Sequence, residues 1–263
     1  MWLTSYMILG AVAGLLAGML GIGGGLVIVP ILTFMFAAQG FPHDHIVHMA
    51  LGTSLASIIF TSLSSVLAHH RRSAVLWPVV FRITPGILAG SLLGTFIAAR
   101  LSTNVLKGFF SIFLYFVATQ MLIGIKPKPS RSTPQTPGMF AAGSFIGIFS
   151  SLAGIGGGTL SVPFLVWCNT VMQQAIGTSA AIGFPIAIAG ASGFVLNGLN
   201  VPDLPNHCLG FIHLVSLACI VAASVLTAPL GARLAHRLPV NKLKKIFACL
   251  LYILATRMAL SLL

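Results

Sequence analysis

Acidic residues are almost absent from this sequence, because Asp44 and Asp203 are the only carboxylate side chains among its 263 residues. All charged residues together make up 6% of the chain, whereas soluble globular domains contain about 25%. Both aspartates lie between apolar segments, so those segments hold neither a pair of catalytic carboxylates nor an HExxH motif. We therefore do not expect an enzyme.

The usual motifs for nucleotide binding and thiol chemistry are also missing. The sequence contains two glycine clusters, at residues 21–25 and 154–158, but neither continues into the Gly-Lys of a P-loop. The four cysteines show no Cys-x-x-Cys spacing. We expect no cofactor and no metal site, and nothing in the chain indicates an ATP-driven pump.

Apolar residues dominate instead, at 57% of the chain, with a mean hydropathy of +1.03. Most of the apolar segments reach the roughly 20 residues that a helix needs to cross a bilayer. The sequence therefore predicts an all-α, polytopic membrane bundle. No basic residue precedes the first segment, so we do not expect a cleaved signal peptide. The segments cover about residues 7–37, 49–68, 74–99, 104–125, 139–168, 175–196, 208–235 and 241–263.

The chain contains an internal repeat. "GMLGIGGGLVIVP" at 18–30 matches "SLAGIGGGTLSVP" at 151–163, and "ALGTSLA" at 50–56 matches "AIGTSAA" at 175–181. The stretch "KPKPSRSTPQTPG" is rich in proline and charge, as exposed linkers are. We predict a first transmembrane repeat at 1–125, a cytoplasmic linker at 126–138 and a second transmembrane repeat at 139–263, each repeat with four apolar segments.

The basic residues indicate how the repeats cross the membrane. Lys and Arg lie mainly between apolar segments, which is typical of loops that set topology and not of a nucleic-acid surface. If the first segment of each repeat breaks at its glycines and returns, ten basic residues share one face and three the other. This inverted arrangement predicts that both termini are periplasmic. The alternative is eight full crossings with parallel halves, which divides the charges six to seven.

The duplicated glycines predict two broken helices. Broken helix at membrane depth is tolerated only where it is buried in protein or lines a wet cavity. Each helix that begins after such a break offers free N–H groups and the positive end of its dipole, which together suit an anion. The alternative is that the glycines only allow close helix packing. We expect Val at Gly24 or Gly157 to abolish transport, because a β-branched side chain does not fit the left-handed backbone (φ > 0) expected there and would cover the amides. The candidate anion-binding residues are Gly21, Gly23, Gly24, Gly25, Gly154, Gly156, Gly157 and Gly158.

Arg82 is the one basic residue well inside an apolar segment. It lies about eight residues from the segment's start, roughly 12 Å at the helical rise, and a cation at that depth is a functional candidate. The second repeat has Cys219 at the corresponding position. The alternative is a side chain that extends towards the face with Arg71 and Arg72.

Histidines cluster around Asp44 and immediately before Arg71 and Arg72. Together with Asp44, the side chains of His43, His45 and His48 could bind a metal, although we expect them to be solvated in a surface loop. Histidines titrate near physiological pH, so a proton is a candidate coupling ion.

The paired Gly-Ile-Gly-Gly-Gly segments, each with a proline further on and a Gly-Thr-Ser in the next helix, resemble the TauE/SafE sulfite exporters. The resemblance covers nearly the whole chain. It implies a multi-pass inner (plasma) membrane transporter for sulfite, sulfoacetate or related organosulfonates. It also places the site on the glycine clusters with Thr53, Ser54, Thr178 and Ser179, whose hydroxyls suit a sulfonate oxygen. The alternative for these hydroxyls is a bond to a carbonyl one turn earlier.

We therefore expect a secondary transporter that works by alternating access around the two breaks. A channel, or a carrier for another small anion, is the alternative, and a membrane-embedded enzyme is less favoured. The expected partners are the bilayer, a small anionic substrate and a coupling proton or other ion. The resemblance to the exporters implies export as the direction of transport.

Overall fold

A computed structural model of the protein describes residues 2–20, 24–123, 134–235 and 240–262. These residues form ten α-helices and one short antiparallel hairpin, which confirms the all-α prediction. Five of the helices (α3, α4, α5, α8 and α9) are long and apolar enough to cross a membrane. The elements are α1 (Trp2–Leu20), α2 (Gly25–Ala38), α3 (Ile46–His70), α4 (Trp77–Arg100), α5 (Thr103–Ile123), α6 (Thr136–Leu152), α7 (Gly158–Trp167), α8 (Met172–Gly198), β1 (Cys208–Leu209), β2 (Ile212–His213), α9 (Leu214–Ala235) and α10 (Val240–Leu260).

The first apolar segment of each repeat is divided into two helices at its glycines. α1 ends at Leu20 and α2 begins at Gly25, and the second repeat divides in the same way between α6 and α7. The amide of Gln39 donates to the Tyr6 hydroxyl at 2.6 Å, and the rings of Tyr6 and Phe36 are 6.4 Å apart. The end of α2 therefore returns to the start of α1.

The first helix of each repeat packs against a helix of the other repeat. α1 packs along α9 of the second repeat, and α6 packs along α4 of the first. Glycines four residues apart let these backbones approach, because α4 places Gly86 against Phe140 and Gly90 against Ser144. Residue numbers rise together along this contact, so α4 and α6 run in the same direction.

Two further helix pairs, α3–α8 and α5–α10, pack in opposite directions. In the α3–α8 contact Gly52 lies against Phe194 and Gly190 against Leu55. In the α5–α10 contact the hydroxyls of Tyr115 and Thr256 are 2.8 Å apart, and those of Thr119 and Tyr252 are 2.7 Å apart. In both pairs one residue number rises as the other falls, so both pairs are antiparallel.

The connection between α8 and α9 differs from the corresponding connection between α3 and α4, because it contains the hairpin. The expected apolar segment 208–235 begins as the hairpin of β1 and β2, and only then as α9. Phe211, Ile212 and His213 are buried inside the bundle. We call the end of the bundle that holds this hairpin the hairpin end, and the end that holds loop 71–76 the linker end.

Candidate functional site

The two glycine breaks pack directly against each other. A Cβ atom on Gly25, the first residue of α2, would overlap the carbonyl oxygen of Gly154. The same carbonyl accepts a 2.8 Å hydrogen bond from the Ser54 hydroxyl on α3. Gly154 has a φ of +60°, and a Cβ there would lie 2.8 Å from both Val29 and Leu51. Glycine is required at 25 because backbone occupies the space of a side chain, and at 154 because the backbone is left-handed and side chains crowd the Cβ position.

The start of α7 has the geometry of an anion site. Gly157 precedes the helix with a φ of +75°, and its carbonyl accepts the N–H groups of Leu160 and Ser161 at 3.0 and 2.7 Å. The amides of Gly158 and Thr159 belong to the first turn, where N–H groups have no acceptor within the helix. These amides and the helix dipole present partial positive charge to the break.

Buried hydroxyls without a hydrogen-bond partner surround this helix start. Within the part of the chain that the structure describes, the side-chain oxygens of Ser150, Thr159 and Ser179 have no partner, although each residue is at most 9% exposed. Ser150 Oγ lies 3.8 Å from the position that a Cβ on Gly157 would take. Ser179 lies one helical turn before Gly183, which packs on the carbonyl of Gly156. A buried hydroxyl left unbonded costs about 1–3 kcal/mol, so several of them near one helix start make it a candidate site for a polar ligand.

Two further hydroxyls of this kind lie beside the site, where α4 packs on α6. Ser91 Oγ is 3.0 Å from the Cβ position of Gly147, and the Cβ of Ser151 is 3.1 Å from that of Gly94. The side chains of Ser91 and Ser151 are fully buried and also have no partner among the described residues. The polar region therefore extends from the second break along α4.

Apart from Ser91, the unpartnered hydroxyls at and beside the break belong to the second repeat, and our sequence analysis missed three of these second-repeat residues. Aligned on the glycine clusters, Ser150, Ser151 and Thr159 correspond to Ala17, Gly18 and Leu26 of the first repeat. The prediction used positions that are identical in both repeats. Positions that differ between the repeats would have indicated these residues.

The four predicted hydroxyl residues have different surroundings. Thr53 Oγ1 accepts the N–H of His213 at 3.0 Å, and Thr178 Oγ1 accepts the N–H of Leu76 at 3.0 Å. Ser54 bonds to the second break, whereas the Ser179 hydroxyl is buried without a partner among the described residues. None of these contacts is the bond to a carbonyl one turn earlier that was the alternative to substrate binding.

The structure does not bring Arg82 to the breaks. Its side chain is exposed on α4, five residues after the helix begins, whereas Gly25 and Gly154 are buried. Of the predicted glycines, Gly21 and Gly23 lie outside the described residues. Gly24 has a φ of −71°, so the expectation of a left-handed backbone there is wrong.

The expected histidine loop is partly helix. His48 lies in the first turn of α3, is 3% exposed, and its Nε2 is 3.0 Å from the carbonyl of Ala98 and 3.2 Å from that of Leu101. It lines a cavity of about 350 Å³ at the hairpin end, together with His45 and Arg100. Among the described residues no group of three or more His, Cys, Asp or Glu could hold a metal ion.

Comparison with known proteins identifies the family. The family described as "Sulfite exporter TauE/SafE" matches residues 6–258. A probable membrane transporter protein of Haemophilus influenzae is 37% identical over 255 residues, which cover 97% of each chain. A probable membrane transporter protein of Xylella fastidiosa strain Temecula1 is 32% identical, over 94% of this chain and 90% of the relative. No solved structure shows a significant match. The matched range covers almost all of this multi-pass helical bundle, and the chain therefore belongs to the TauE/SafE sulfite exporter family of membrane transporters.

Proposed function

We propose that this transporter moves small sulfur-containing anions, such as sulfite, sulfoacetate or related organosulfonates, by alternating access, and that it acts as an exporter. The observation that carries the proposal is the group of buried, unpartnered hydroxyls of Ser150, Thr159 and Ser179 at the start of α7.

The chemistry of this group favours an oxyanion. Sulfite and sulfonate groups present three oxygens, each of which accepts hydrogen bonds. The three hydroxyls and the first-turn amides of Gly158 and Thr159 are all donors, and the helix dipole adds partial positive charge. The only carboxylates of the chain, Asp44 and Asp203, lie outside the helices. Neutral donors also permit release, because no charged side chain holds the anion.

The inverted arrangement of the repeats is part of the same proposal. The antiparallel α3–α8 and α5–α10 contacts support it, as does the return of α2 to the start of α1. The ten basic residues predicted on one face would lie at the linker end, which the charge rule makes cytoplasmic in an inner membrane. Reporter fusions at both termini test this topology, and a cytoplasmic C-terminus together with a cytoplasmic linker would refute it.

A channel for the same anion is the competing mechanism. Flux measurements in proteoliposomes distinguish the two mechanisms. Flux through a carrier saturates and shows counterflow, whereas flux through a channel shows no counterflow. A proton gradient applied in the same vesicles tests coupling.

Anion binding to the purified protein tests the site directly. Sulfite, thiosulfate, sulfate, sulfoacetate and taurine would be titrated against the wild-type protein and the variants Ser179→Ala and Thr159→Val. A hydrogen bond to a charged group contributes about 1.5–3 kcal/mol, so each variant should bind its best anion at least about tenfold more weakly.

Matched controls keep this test specific. Thr33 Oγ1 donates to the carbonyl of Val29 and Ser111 Oγ to that of Lys107, each within its own helix and each buried. Thr33→Val and Ser111→Ala should keep wild-type affinity. Equal affinity in all four variants would remove the proposed site.

A further inference from the structure

The Gly-Thr pair of the first repeat holds the end of the hairpin. A Cβ on Gly52 would lie 2.7 Å from the carbonyl oxygen of Phe211, so glycine leaves room for that backbone. The next residue, Thr53, accepts the N–H of His213 at 3.0 Å. His213 immediately precedes α9. A helix of the first repeat therefore fixes the start of a helix of the second.

The Gly-Thr pair of the second repeat makes the same contact at the linker end. A Cβ on Gly177 would overlap the carbonyl oxygen of Ala74, and Thr178 accepts the N–H of Leu76 at 3.0 Å. Leu76 immediately precedes α4. In both repeats the glycine faces a carbonyl and the threonine binds the N–H two residues later.

Both loops enter the bundle. Gly52 lies six residues into α3 and Gly177 five residues into α8, which is about 8–9 Å at the helical rise. Phe211 is 3% exposed and His213 is 6% exposed. Segments 211–213 and 74–76 therefore occupy the two opposite ends of the α3–α8 pair.

The residue after each threonine reaches the glycine breaks. Ser54 bonds to the carbonyl of Gly154, and Ser179 lies one helical turn before Gly183, which packs on the carbonyl of Gly156. Each Gly-Thr-Ser tripeptide thus joins a loop at one end of the bundle to the centre. One peptide bond therefore separates the residue near the break from the residue that holds the loop.

We propose that these two contacts, Gly52–Thr53 with segment 211–213 and Gly177–Thr178 with segment 74–76, are a matched pair of gate latches. Each latch positions one closing segment, and alternating access releases them one at a time; this rests on the mechanism of the proposed function. Both latches are formed in this structure, so both ends are closed.

Thiol labelling from each side of the membrane tests the latches without any anion. The reporter is Ile58→Cys in a background in which the four native cysteines are replaced, because Ile58 is 2% exposed and lies 3.1 Å from the Cβ position of Gly156. A membrane-impermeant maleimide would be applied to right-side-out and inverted vesicles. Loss of a hydrogen bond of ordinary strength should speed labelling by about two- to tenfold. Thr53→Val should speed labelling only from the side of the hairpin end, and Thr178→Val only from the side of the linker end.

The controls separate a latch from a structural contact. Thr53→Ser and Thr178→Ser keep the hydroxyl and should label like the parent, as should Thr33→Val. If a valine variant does not reach the membrane folded, Thr→Ala at the same position provides the same test. Labelling from the same side in both variants, from both sides equally, or at the parent rate would overturn the latches. If labelling is one-sided as expected but the protein binds none of the sulfur anions, only the proposed substrate is refuted.

Discussion

The hydroxyl of Ser54 donates a 2.8 Å hydrogen bond to the carbonyl of Gly154, so a side chain of the first repeat holds the break of the second. Ser179, the matching residue of the second repeat, is fully buried and makes no such bond within the described chain. The Gly-Thr-Ser motif is duplicated in sequence, but its serines have different roles. One serine bonds to the opposite repeat, and the hydroxyl of the other is unpartnered within the described chain.

Ser54→Ala should lower stability, and Ser179→Ala should not. The first change leaves the buried carbonyl of Gly154 without its donor, which costs about 1–3 kcal/mol, whereas the second removes a hydroxyl that has no bond to lose. Thermal unfolding in detergent without anion measures both. A lower melting temperature for Ser179→Ala than for Ser54→Ala would contradict this assignment.

Gly157→Ala should be far more damaging than Gly24→Ala. Gly157 has a φ of +75° and a Cβ there would overlap Ile186, whereas Gly24 has a φ of −71° and its nearest contacts are at 3.1 Å or more. A left-handed backbone is unfavourable for alanine by about 1 kcal/mol or more, before the overlap is counted. Yield of folded protein and transport rate measure the difference. Equal loss in both variants would show that the first break is as constrained as the second.

The general architecture was predictable because its signals are local. Long apolar runs predict spanning helices, and the repeated Gly-Ile-Gly-Gly-Gly predicts the two breaks. The hairpin before α9 was missed, because residues 208–235 read as one apolar segment and the turn depends on Gly210 at a φ of +55°. The position of the Arg82 side chain was not predictable for a related reason. Counting along a segment gives a depth in the membrane, but not which face of the helix points inwards.

The partners of buried hydroxyls were not predictable. Thr53 and Thr178 contact loops more than 100 residues away in sequence, and only the packing of α3 against α8 brings them together. The tertiary structure also decides that Ser54 has a partner whereas Ser179 has none among the described residues. Identical tripeptides cannot reveal such a difference.

Arg82→Gln should leave anion affinity unchanged. The side chain is exposed on α4, away from the buried break, so it supplies no charge to the candidate site. Any effect should appear as altered insertion, because a cation near a helix end contributes to topology. Anion titration of the purified variant measures affinity, and the amount of protein in the membrane measures insertion. A loss of about tenfold in affinity would restore Arg82 to the binding site.

Low pH should lower the stability of the folded protein, because it favours protonation of His213. Burial lowers the pKa of this imidazole below its ordinary value of 6.5, and the nearby His207 lowers it further. Its ring packs against Phe36 and Phe41, and its Nδ1 is 3.0 Å from the Ser216 hydroxyl.

Because the folded pKa is depressed, the unfolded chain binds more protons at pH values between the two pKa values. The stability contributed by neutral His213 is therefore fully present above about pH 6.5 and is lost as the pH falls towards the folded pKa. Melting temperatures of the wild type and His213→Gln, measured from about pH 7.5 to about pH 5, test this. The wild type should lose more stability over that range than the variant, since glutamine does not titrate. Because His213 also belongs to the contact with Thr53, the same acid range should speed labelling of the Ile58→Cys reporter from the hairpin side. Parallel melting curves for the two proteins would show that the acid sensitivity arises elsewhere.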